Sequence, residues 1–417
     1  MGIFNLFKRT TDYANLIPKA KLIKKIEPNS ARFHGNLNIN GTGVSPDRFI
    51  RAELTRDEIE STFRKLGLNV FAVDYSVSGK TETHALYAPA HKLSQFLKDS
   101  FLLDLQGELG LRDKPIVTSL TGEWLSKGKP IRKNIIELTI ERANKVTAHL
   151  GDYLKAKSYW DTKGDIVVPF GHGKESIFVD LAKMPHALVV GTSGSGKSVF
   201  LESLLLALHH RYTAEEVQVA LIDPKRVELV TFANSPLLFS KDGEEKAFYT
   251  DADKAVEFLM WLNSYIDRRY RSFAEKKVKN IAEHNKKFPK KKVPYIVCVI
   301  DEFAKLTETD GSADLFKSVR KITAEARAAG IILIIATQTP NKDVLPIQIR
   351  TNLQTRIAFR IADKVDAESI VRIPEAFDLV GRGDGIYLDS DGRKHRFSGC
   401  FLDSKVDKLD DIITWDR

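Results

Sequence analysis

Residues 191–198 combine glycines, hydroxyls and a lysine at the spacing G-x-x-x-x-G-K-[ST] of a Walker A loop. The eight positions are Gly191, Thr192, Ser193, Gly194, Ser195, Gly196, Lys197 and Ser198. A predicted strand precedes them at 186–190 and a predicted helix follows at 199–208, which is the setting of a phosphate-binding loop. The glycines let successive amides point at phosphates, and the helix N-terminus adds partial positive charge. The spacing therefore predicts bound ATP, with Lys197 on the β- and γ-phosphates and Ser198 on Mg²⁺.

Two acids follow the apolar run YIVCVI at 295–300, as in a Walker B strand. Asp301 and Glu302 are predicted at the C-terminal end of a buried strand, where ligands gather in open α/β sheets. We predict that Asp301 binds Mg²⁺ and that Glu302 is the base that polarises an attacking water, which favours hydrolysis over nucleotide holding. The alternative is that the two acids only cap the next helix.

Two further strand ends carry polar residues. Gln338 ends the segment IILIIATQ, where an amide can respond to the γ-phosphate, and we group it with Glu302 and Lys197 as a catalytic candidate. The segment 223–226, Asp-Pro-Lys-Arg, follows another apolar run. It fits a helix-start turn and a role at the nucleotide equally well.

The composition is that of a globular protein, because 43% of the 417 residues are hydrophobic and 29% are charged. The longest apolar runs are far shorter than the roughly 18–20 residues of a membrane span, so we expect no span. A formal net charge of +9 is compatible with a nucleic-acid partner, and basic residues concentrate at 1–35 and 276–292. Both clusters could equally be solvated surface. Cys298 and Cys400 lie in or beside apolar stretches, which indicates buried thiols and a cytoplasmic location.

The pattern of apolar residues predicts an α/β protein with a basic, partly flexible segment 1–50, a small α/β domain at 51–150 and a larger domain at 151–417. In the small domain we predict a helix capped by Thr55, a hairpin from 69–77 and 81–87, and helices near 91–103 and 133–149. The larger domain has short apolar runs at 187–190, 217–222, 295–300, 331–336 and 355–361, typical of a buried, mostly parallel sheet. A long amphipathic helix is expected at 251–275.

Seven segments between about 165 and 402 resemble, in order and spacing, the motor domain of FtsK/SpoIIIE-type DNA translocases. They are HALVVGTSGSGKS, LIDPKRVEL, RRYRSFAEKKVKNIAEHN, PYIVCVIDEF, EARAAGIILIIATQTP, RIAFRIADKVDAESI and GRGDGIYL. The resemblance implies a RecA-like P-loop NTPase core, a hexameric ring, double-stranded DNA in a central channel, and ATP at subunit boundaries. It also gives Lys197 and Ser198 the nucleotide and Mg²⁺ roles, Asp301 and Glu302 the Walker B roles, and Gln338 the role of sensor.

A ring ATPase of this type needs an arginine from the neighbouring subunit, and three matching segments each offer one: Arg327, Arg356 and Arg382. The sequence alone does not choose among them. The segment 305–321 is the candidate channel lining, with Lys317, Arg320 and Lys321 facing DNA phosphates; the alternative is an exposed helical face.

The chain also departs from the family pattern. The usual ATQRP reads ATQTP, with Thr339 in place of arginine, and we expect neither a membrane-spanning N-terminal region nor a C-terminal winged-helix domain. We expect a compact, ATP-driven translocase of a plasmid, conjugative element or phage. One alternative is a coupling or packaging ATPase that passes DNA to a membrane channel or works with a nuclease. Another is a nucleotide-switched DNA-binding or partition protein without processive movement.

Overall fold

The computed structural model describes residues 54–402, except for 78–80, 89–92, 97, 110, 112–114, 127–128, 142–147, 174–175 and 185. The segment 1–50, predicted to be basic and partly flexible, lies outside the described residues. The described residues fall into two compact units, one within 48–146 and the other within 147–417. Each unit buries an apolar core of its own.

The first unit contains a four-stranded antiparallel sheet in the order β1-β2-β4-β3. Its elements are α1 (Arg56–Lys65), β1 (Phe71–Val77), β2 (Thr81–Tyr87), α2 (Leu93–Phe96), α3 (Asp99–Glu108), β3 (Ile116–Ser126) and β4 (Lys129–Glu141). The predicted hairpin is present as β1 and β2. The predicted cap of α1 is also present: the Glu58 amide donates to Thr55 Oγ1 at 3.3 Å, and the Thr55 amide donates to the Glu58 carboxylate at 2.6 Å.

The helix predicted near 133–149 is wrong, because residues 129–141 form β4. Ile136, Leu138 and Ile140 are two residues apart and enter the same core cluster, as residues on one face of a strand do. Pairing with β2 on one side and β3 on the other satisfies the backbone of this long strand. The helix predicted near 91–103 is two shorter helices, α2 and α3.

The second unit is built around a ten-stranded sheet in the order β11-β8-β12-β13-β7-β14-β15-β16-β5-β6. The strands of this unit are β5 (Val167–His172), β6 (Ser176–Asp180), β7 (Ala187–Val190), β8 (Val217–Ile222), β9 (Ser240–Lys241), β10 (Glu245–Lys246), β11 (Phe248–Tyr249), β12 (Tyr295–Ile300), β13 (Ile331–Thr337), β14 (Thr355–Ala358), β15 (Asp384–Leu388) and β16 (Lys394–Gly399). Two of them, β9 and β10, lie outside the large sheet and form a small hairpin. The six strands from β11 to β14 are parallel, and the remaining four are antiparallel to their neighbours. The predicted mostly parallel sheet is therefore confirmed.

Helices cover both faces of this sheet. They are α4 (Leu150–Lys155), α5 (Lys157–Asp161), α6 (Lys197–Arg211), α7 (Ala252–Glu275), α8 (Ile281–Lys287), α9 (Phe303–Thr307), α10 (Ser312–Glu325), α11 (Ile347–Arg350) and α12 (Lys364–Asp366), with 3-10 turns at Val230–Phe232 and Pro374–Asp378 and a π turn at Ala367–Val371. The long helix predicted at 251–275 is α7, and the Asp251 side chain caps it by accepting from the Lys254 amide at 3.0 Å. Among the helices of the described residues, none has both the length and the apolar character needed to cross a bilayer.

The central strands show why the sequence of this sheet consists of continuous apolar runs. In β12, Val297 and Val299 enter one core cluster, whereas Ile296, Cys298 and Ile300 enter the cluster on the opposite face. Every position is therefore buried, and no polar residue occurs until the strand ends. Cys298 and Cys400 are both buried, as predicted.

Candidate nucleotide-binding and catalytic site

The phosphate-binding loop leads from β7 into α6. Gly194 and Gly196 have φ angles of +73° and +113°, which glycine adopts at no steric cost from a Cβ. The amide of Thr192 donates to the carbonyl of Arg360 at 2.9 Å and fixes the start of the loop beside the end of β14. The first amides of α6 lack i−4 carbonyl partners, as at any helix start. The loop and the helix start together form a concave group of amide donors that suits a phosphate.

A segment distant in sequence supports this loop. The amide of Gly383 donates to the carbonyl of Ser195 at 2.7 Å, and the amide of Arg382 donates to the carbonyl of Gly194 at 3.3 Å. A Cβ on Gly196 would lie 2.5 Å from the nitrogen of Gly383, so the two glycines meet backbone to backbone. Sequence reasoning considered the segment GRGDGIYL only for Arg382, whereas in the structure its backbone supports the loop.

Lys197 and Asp301 form a buried ion pair between the loop and the end of β12. Lys197 Nζ lies 2.8 Å from Asp301 Oδ1 and 2.9 Å from the carbonyl oxygen of Asp301. The two side chains are only 2% and 1% exposed. Burial raises the pKa of the Asp301 carboxyl, and the ammonium of Lys197 partly counteracts this. The predicted Walker A lysine and Walker B aspartate are thus brought together.

Glu302 is held by three donors from the ends of two strands, β8 and β13, which flank β12. Its Oε2 accepts from Lys225 Nζ at 2.8 Å, and its Oε1 accepts from Thr337 Oγ1 at 2.7 Å and from the amide of Gln338 at 3.0 Å. Burial raises the pKa of this carboxyl, but the three hydrogen bonds and the Lys225 charge outweigh burial and hold the pKa below its ordinary value. Gln338 therefore lies beside Glu302, and its contact is made by its backbone amide.

The segment 223–226, for which the sequence left two interpretations open, forms a turn after β8 and contacts Glu302. Asp223 is fully buried, and its Oδ2 accepts from the amides of Val227 and Leu229, both at 3.0 Å, which forms a tight turn after β8. Arg226 takes a left-handed φ of +57° within this turn. The turn carries Lys225 to Glu302, across 77 residues of sequence. Sequence reasoning considered this segment because it follows an apolar run, but it did not single out Lys225.

The residues present fit a magnesium nucleotide. Ser195 Oγ is buried in the loop without a hydrogen-bond partner, and a Cβ on Gly191 would lie 2.8 Å from Phe359 Cβ, so the loop is packed for glycine. The Ser198 hydroxyl and the Asp301 carboxylate are hard oxygen donors of the kind Mg²⁺ prefers. Within the described residues, no cluster of three or more His, Cys, Asp or Glu side chains is arranged to hold a metal. Magnesium here would therefore take most of its ligands from phosphate oxygens and water.

Comparison with known proteins agrees with this geometry. The model of the FtsK/SpoIIIE family matches residues 149–389, which include every site residue described above. The chain belongs to the FtsK/SpoIIIE family. It is 30% identical over 427 residues to the DNA translocase FtsK of Corynebacterium glutamicum, covering 97% of this chain and 42% of that protein. It is 34% identical over 285 residues to the DNA translocase SftA of Bacillus subtilis, covering 66% of this chain and 29% of that protein. The chain thus spans less than half the length of these relatives.

Solved structures share the fold. The pCW3 conjugation coupling protein TcpA, solved as a monomer with ATPγS, matches with a TM-score of 0.56 and 22% identity over 85% of this chain and 98% of that chain. The cytoplasmic domain of the type VII secretion ATPase EccC of Thermomonospora curvata matches with a TM-score of 0.51 and 21% identity over 60% of this chain and 30% of that chain. The large unit of this FtsK/SpoIIIE-family chain is therefore a RecA-like P-loop ATPase fold.

The three arginines considered for a neighbouring site have different surroundings. Arg356 is 3% exposed and donates to four backbone carbonyls of its own chain, so it is a structural residue that cannot reach a neighbour. The burial of this strand residue is a tertiary effect that the sequence did not indicate. Arg382 is exposed, but its backbone lies on the phosphate-binding loop of its own chain.

Arg327 has a third environment. It is exposed and lies just before the N-terminal end of β13, at the edge of the sheet opposite to the loop that follows β7. Its Nη2 donates to the carbonyl of Lys183 at 2.8 Å, which fixes the side chain against the segment that precedes β7. Arg327 therefore lies away from its own phosphate-binding loop and is accessible to another molecule.

The three basic residues considered for DNA binding also differ in their surroundings. Lys317 and Arg320 are exposed on α10 and line a cleft of about 460 Å³ between α10 and α11. The other lining residues are Phe316, Pro346, Gln348 and Ile349. Lys321 instead pairs with Asp267 of α7, with Nζ 2.9 Å from Oδ2. Of these three residues, Lys317 and Arg320 are therefore the two that have no acidic partner within the described residues and could bind a polyanion.

Proposed function

We propose that this chain is an ATP-driven translocase of double-stranded DNA that works as a hexameric ring. The observation that carries the proposal is the convergence of Lys197, Asp301 and Glu302 at one edge of the parallel sheet, next to a glycine-lined loop. A loop that only held nucleotide would not need a second acid fixed by three donors. Two relatives named as DNA translocases support the choice of cargo.

In this proposal each residue has a distinct task. The loop amides and Lys197 bind the phosphates, and Ser198 with Asp301 holds Mg²⁺, which when bound neutralises charge on the phosphate oxygens. Glu302 orients and deprotonates the attacking water, because its carboxylate is fixed by Lys225, Thr337 and the Gln338 amide. The Gln338 side chain, at the end of β13, is the proposed sensor of the phosphate.

Hydrolysis is tested with two variants that remove different steps. Lys197→Ala removes a phosphate contact and should weaken nucleotide binding. Glu302→Gln keeps the shape of the side chain but loses the base, so ATP should bind and remain intact. The measurements are nucleotide affinity and phosphate release. Near-normal phosphate release by Glu302→Gln would show that another group is the base.

The position of Arg327 supports the proposed ring. A side chain at the edge opposite to its own loop can complete a site only in a neighbour, and closed rotational symmetry gives every subunit such a neighbour. We expect hexamers with nucleotide and DNA, and low activity on dilution. Arg327→Ala chains mixed with Lys197→Ala chains should recover turnover at shared interfaces. Mixtures whose turnover never exceeds that of the separate variants would argue against a shared site.

The DNA contact is assigned to Lys317 and Arg320 beside the α10–α11 cleft. Contacts to phosphates should bind different duplex sequences alike and weaken with salt, with a log–log slope of about −0.9 per contact. Changing both residues to Gln should reduce the stimulation of ATP turnover by DNA. A strong preference for one short sequence would contradict this assignment.

Movement along DNA is tested by displacement of a triplex-forming strand from linear duplex, with and without ATP. Displacement that requires ATP and an intact Glu302 supports a translocase. DNA-stimulated turnover without displacement would instead favour the switch-like DNA-binding protein. That the protein serves a plasmid, conjugative element or phage stays a prediction, as does a partner that is a membrane channel or a nuclease.

A further inference from the structure

The segment between α7 and β12 carries most of the net charge of the chain. Residues 276–292 contain eight lysines and one glutamate, a net charge of +7 out of the chain's +9. We call the eight lysines the lysine surface: Lys276, Lys277, Lys279, Lys286, Lys287, Lys290, Lys291 and Lys292. All eight are exposed.

Acids do little to neutralise this surface. Within the part of the chain that the structure describes, the only lysine of the set with a carboxylate in ion-pair distance is Lys292, whose Nζ lies 3.7 Å from Glu216 Oε1. Glu283, the one acid of the segment, accepts from the backbone amide of Lys279 at 2.8 Å. The positive charge is therefore available to an external anion.

Hydrogen bonds and packing fix the backbone of the segment that carries the lysine surface. Asn285 bonds both polar groups of Val293, accepting from its amide at 2.8 Å and donating to its carbonyl at 3.0 Å. Asn280 caps α8 by accepting from the Glu283 amide at 2.9 Å, and Ile281 is buried against Gly330. A flexible solubilising tail needs none of these contacts. Lysines on a fixed backbone have less backbone entropy to lose when they bind.

Because of its position, the lysine surface cannot bind the nucleotide held by the same chain. The segment precedes β12, whereas the phosphate-binding loop, Asp301 and Glu302 follow the C-terminal ends of parallel strands. The lysine surface and the nucleotide site thus lie at opposite edges of the sheet. The anion that the surface fits is a second, extended one.

A membrane is disfavoured as this anion because the segment offers no apolar group for insertion. The strongly exposed large hydrophobic side chains of the described residues all lie elsewhere in the chain: Leu103, Trp160, Val227, Val230, Met260, Ile347, Val365, Phe377 and Phe401. Phe288, the one aromatic residue of the segment, packs on His284 with ring centroids 5.1 Å apart. Fixed charge without an apolar anchor is typical of contacts to a nucleic-acid backbone.

We propose that the lysine surface is a second contact for duplex DNA phosphates, separate from Lys317 and Arg320. The choice of DNA rests on the proposed function, whereas the requirement for a polyanion rests on the charge, exposure and rigidity of the segment. Such a contact would hold duplex outside the nucleotide cycle, because its lysines touch no part of the nucleotide site.

The test compares two full-length variants with equal loss of charge. The first changes Lys279, Lys286, Lys290 and Lys291 to Gln. The control changes four exposed lysines elsewhere, Lys155, Lys157, Lys163 and Lys254, to Gln. Affinity for a duplex without specific sequence is measured by fluorescence anisotropy over a salt series, without nucleotide. Thermal midpoints close to that of the unchanged protein identify folded variants.

Each lost phosphate contact should reduce the magnitude of the log–log salt slope by about 0.9 and the affinity at 0.1 M salt by about eightfold. We expect the first variant to lose two or more contacts by this measure, that is, a slope change of about 2–4. The control should change the slope by less than about 1. Equal slopes for the two variants would overturn the proposal.

Two further measurements separate other partners. Vesicles of phosphatidylserine and phosphatidylcholine test a membrane role, and a loss of vesicle binding with unchanged DNA affinity would overturn the proposal. ATP turnover without DNA tests a subunit contact, and a collapse of that turnover with unchanged DNA affinity would also overturn it. Because DNA affinity is read without nucleotide, failure of the proposed ATPase function would be distinguishable from failure of this surface.

Discussion

A matched pair of glycine substitutions tests whether the segment around Gly383 supports the phosphate-binding loop. Gly194 and Gly196 both have left-handed φ angles, +73° and +113°. A Cβ at Gly194 would meet nothing within 4 Å, whereas a Cβ at Gly196 would lie 2.5 Å from the nitrogen and 2.6 Å from the Cα of Gly383. Gly194→Ala therefore adds strain alone, and Gly196→Ala adds strain and a collision with backbone.

The magnitudes follow from these distances. A left-handed alanine costs roughly 1–2 kcal/mol, so Gly194→Ala should lose about that amount of unfolding free energy. The collision at Gly196 cannot be relieved by a rotamer change, because the Gly383 amide donates to the Ser195 carbonyl at 2.7 Å. Overpacking of this kind costs typically about 1–3 kcal/mol more. The gain that alanine gives by restricting the unfolded chain is the same in both variants and cancels in the comparison.

The assay is urea unfolding of both variants without nucleotide, followed by nucleotide affinity. Gly196→Ala should be less stable than Gly194→Ala by about 1–3 kcal/mol and should bind nucleotide more weakly, because the loop must shift away from Gly383. Equal stability and equal affinity of the two variants would refute the idea that the Gly196–Gly383 contact shapes the loop.

Three other predictions concern single side chains. Lys225→Met should lower kcat roughly 10- to 100-fold with little change in KM, because Glu302 loses one of its three orienting donors; steady-state kinetics measures this, and Lys225→Arg should recover part of it. His186 is buried, and burial together with Arg327 lowers its pKa to about 4. Because the unfolded chain takes up this proton near pH 6.5, the free energy of unfolding should fall by on the order of 3 kcal/mol as the pH drops from 6.5 to 4. Urea unfolding at several pH values measures this, and the free energy of unfolding of His186→Gln should depend less on pH across the same range. Arg356→Met should cost about 2–5 kcal/mol in urea unfolding, because four carbonyls lose their buried donor, and an unchanged midpoint would contradict that role.

The sequence by itself determined the parts of this protein that depend on local patterns. The Walker A spacing, the acids after β12 and the apolar runs at 187–190, 217–222 and 295–300 each have a short-range physical cause. Glycines allow the loop, a buried parallel strand must be apolar on both faces, and ligands collect where such strands end. The long helix α7 was found because its period and its Asp251 cap are also local.

Local patterns gave the wrong answer for β4, where the apolar residues near 133–149 suggested a helix. Ile136, Leu138 and Ile140 share one buried face because β4 pairs with β2 and β3, and neighbouring strands are not visible in a short window. Pairing with distant strands decided the element, as tertiary context does for segments of ambiguous period.

The tertiary structure alone decided which side chains complete the site. Lys225 reaches Glu302 from 77 residues away, and Gly383 reaches the phosphate-binding loop from the far side of β14. Arg356 and Arg327 look alike as isolated arginines, yet one is buried under backbone carbonyls and the other is exposed at the opposite edge of the sheet. The physical reason is that strand order, not sequence distance, sets which strand ends become neighbours, and a sheet that runs β8-β12-β13-β7 brings together ends that are far apart in the chain.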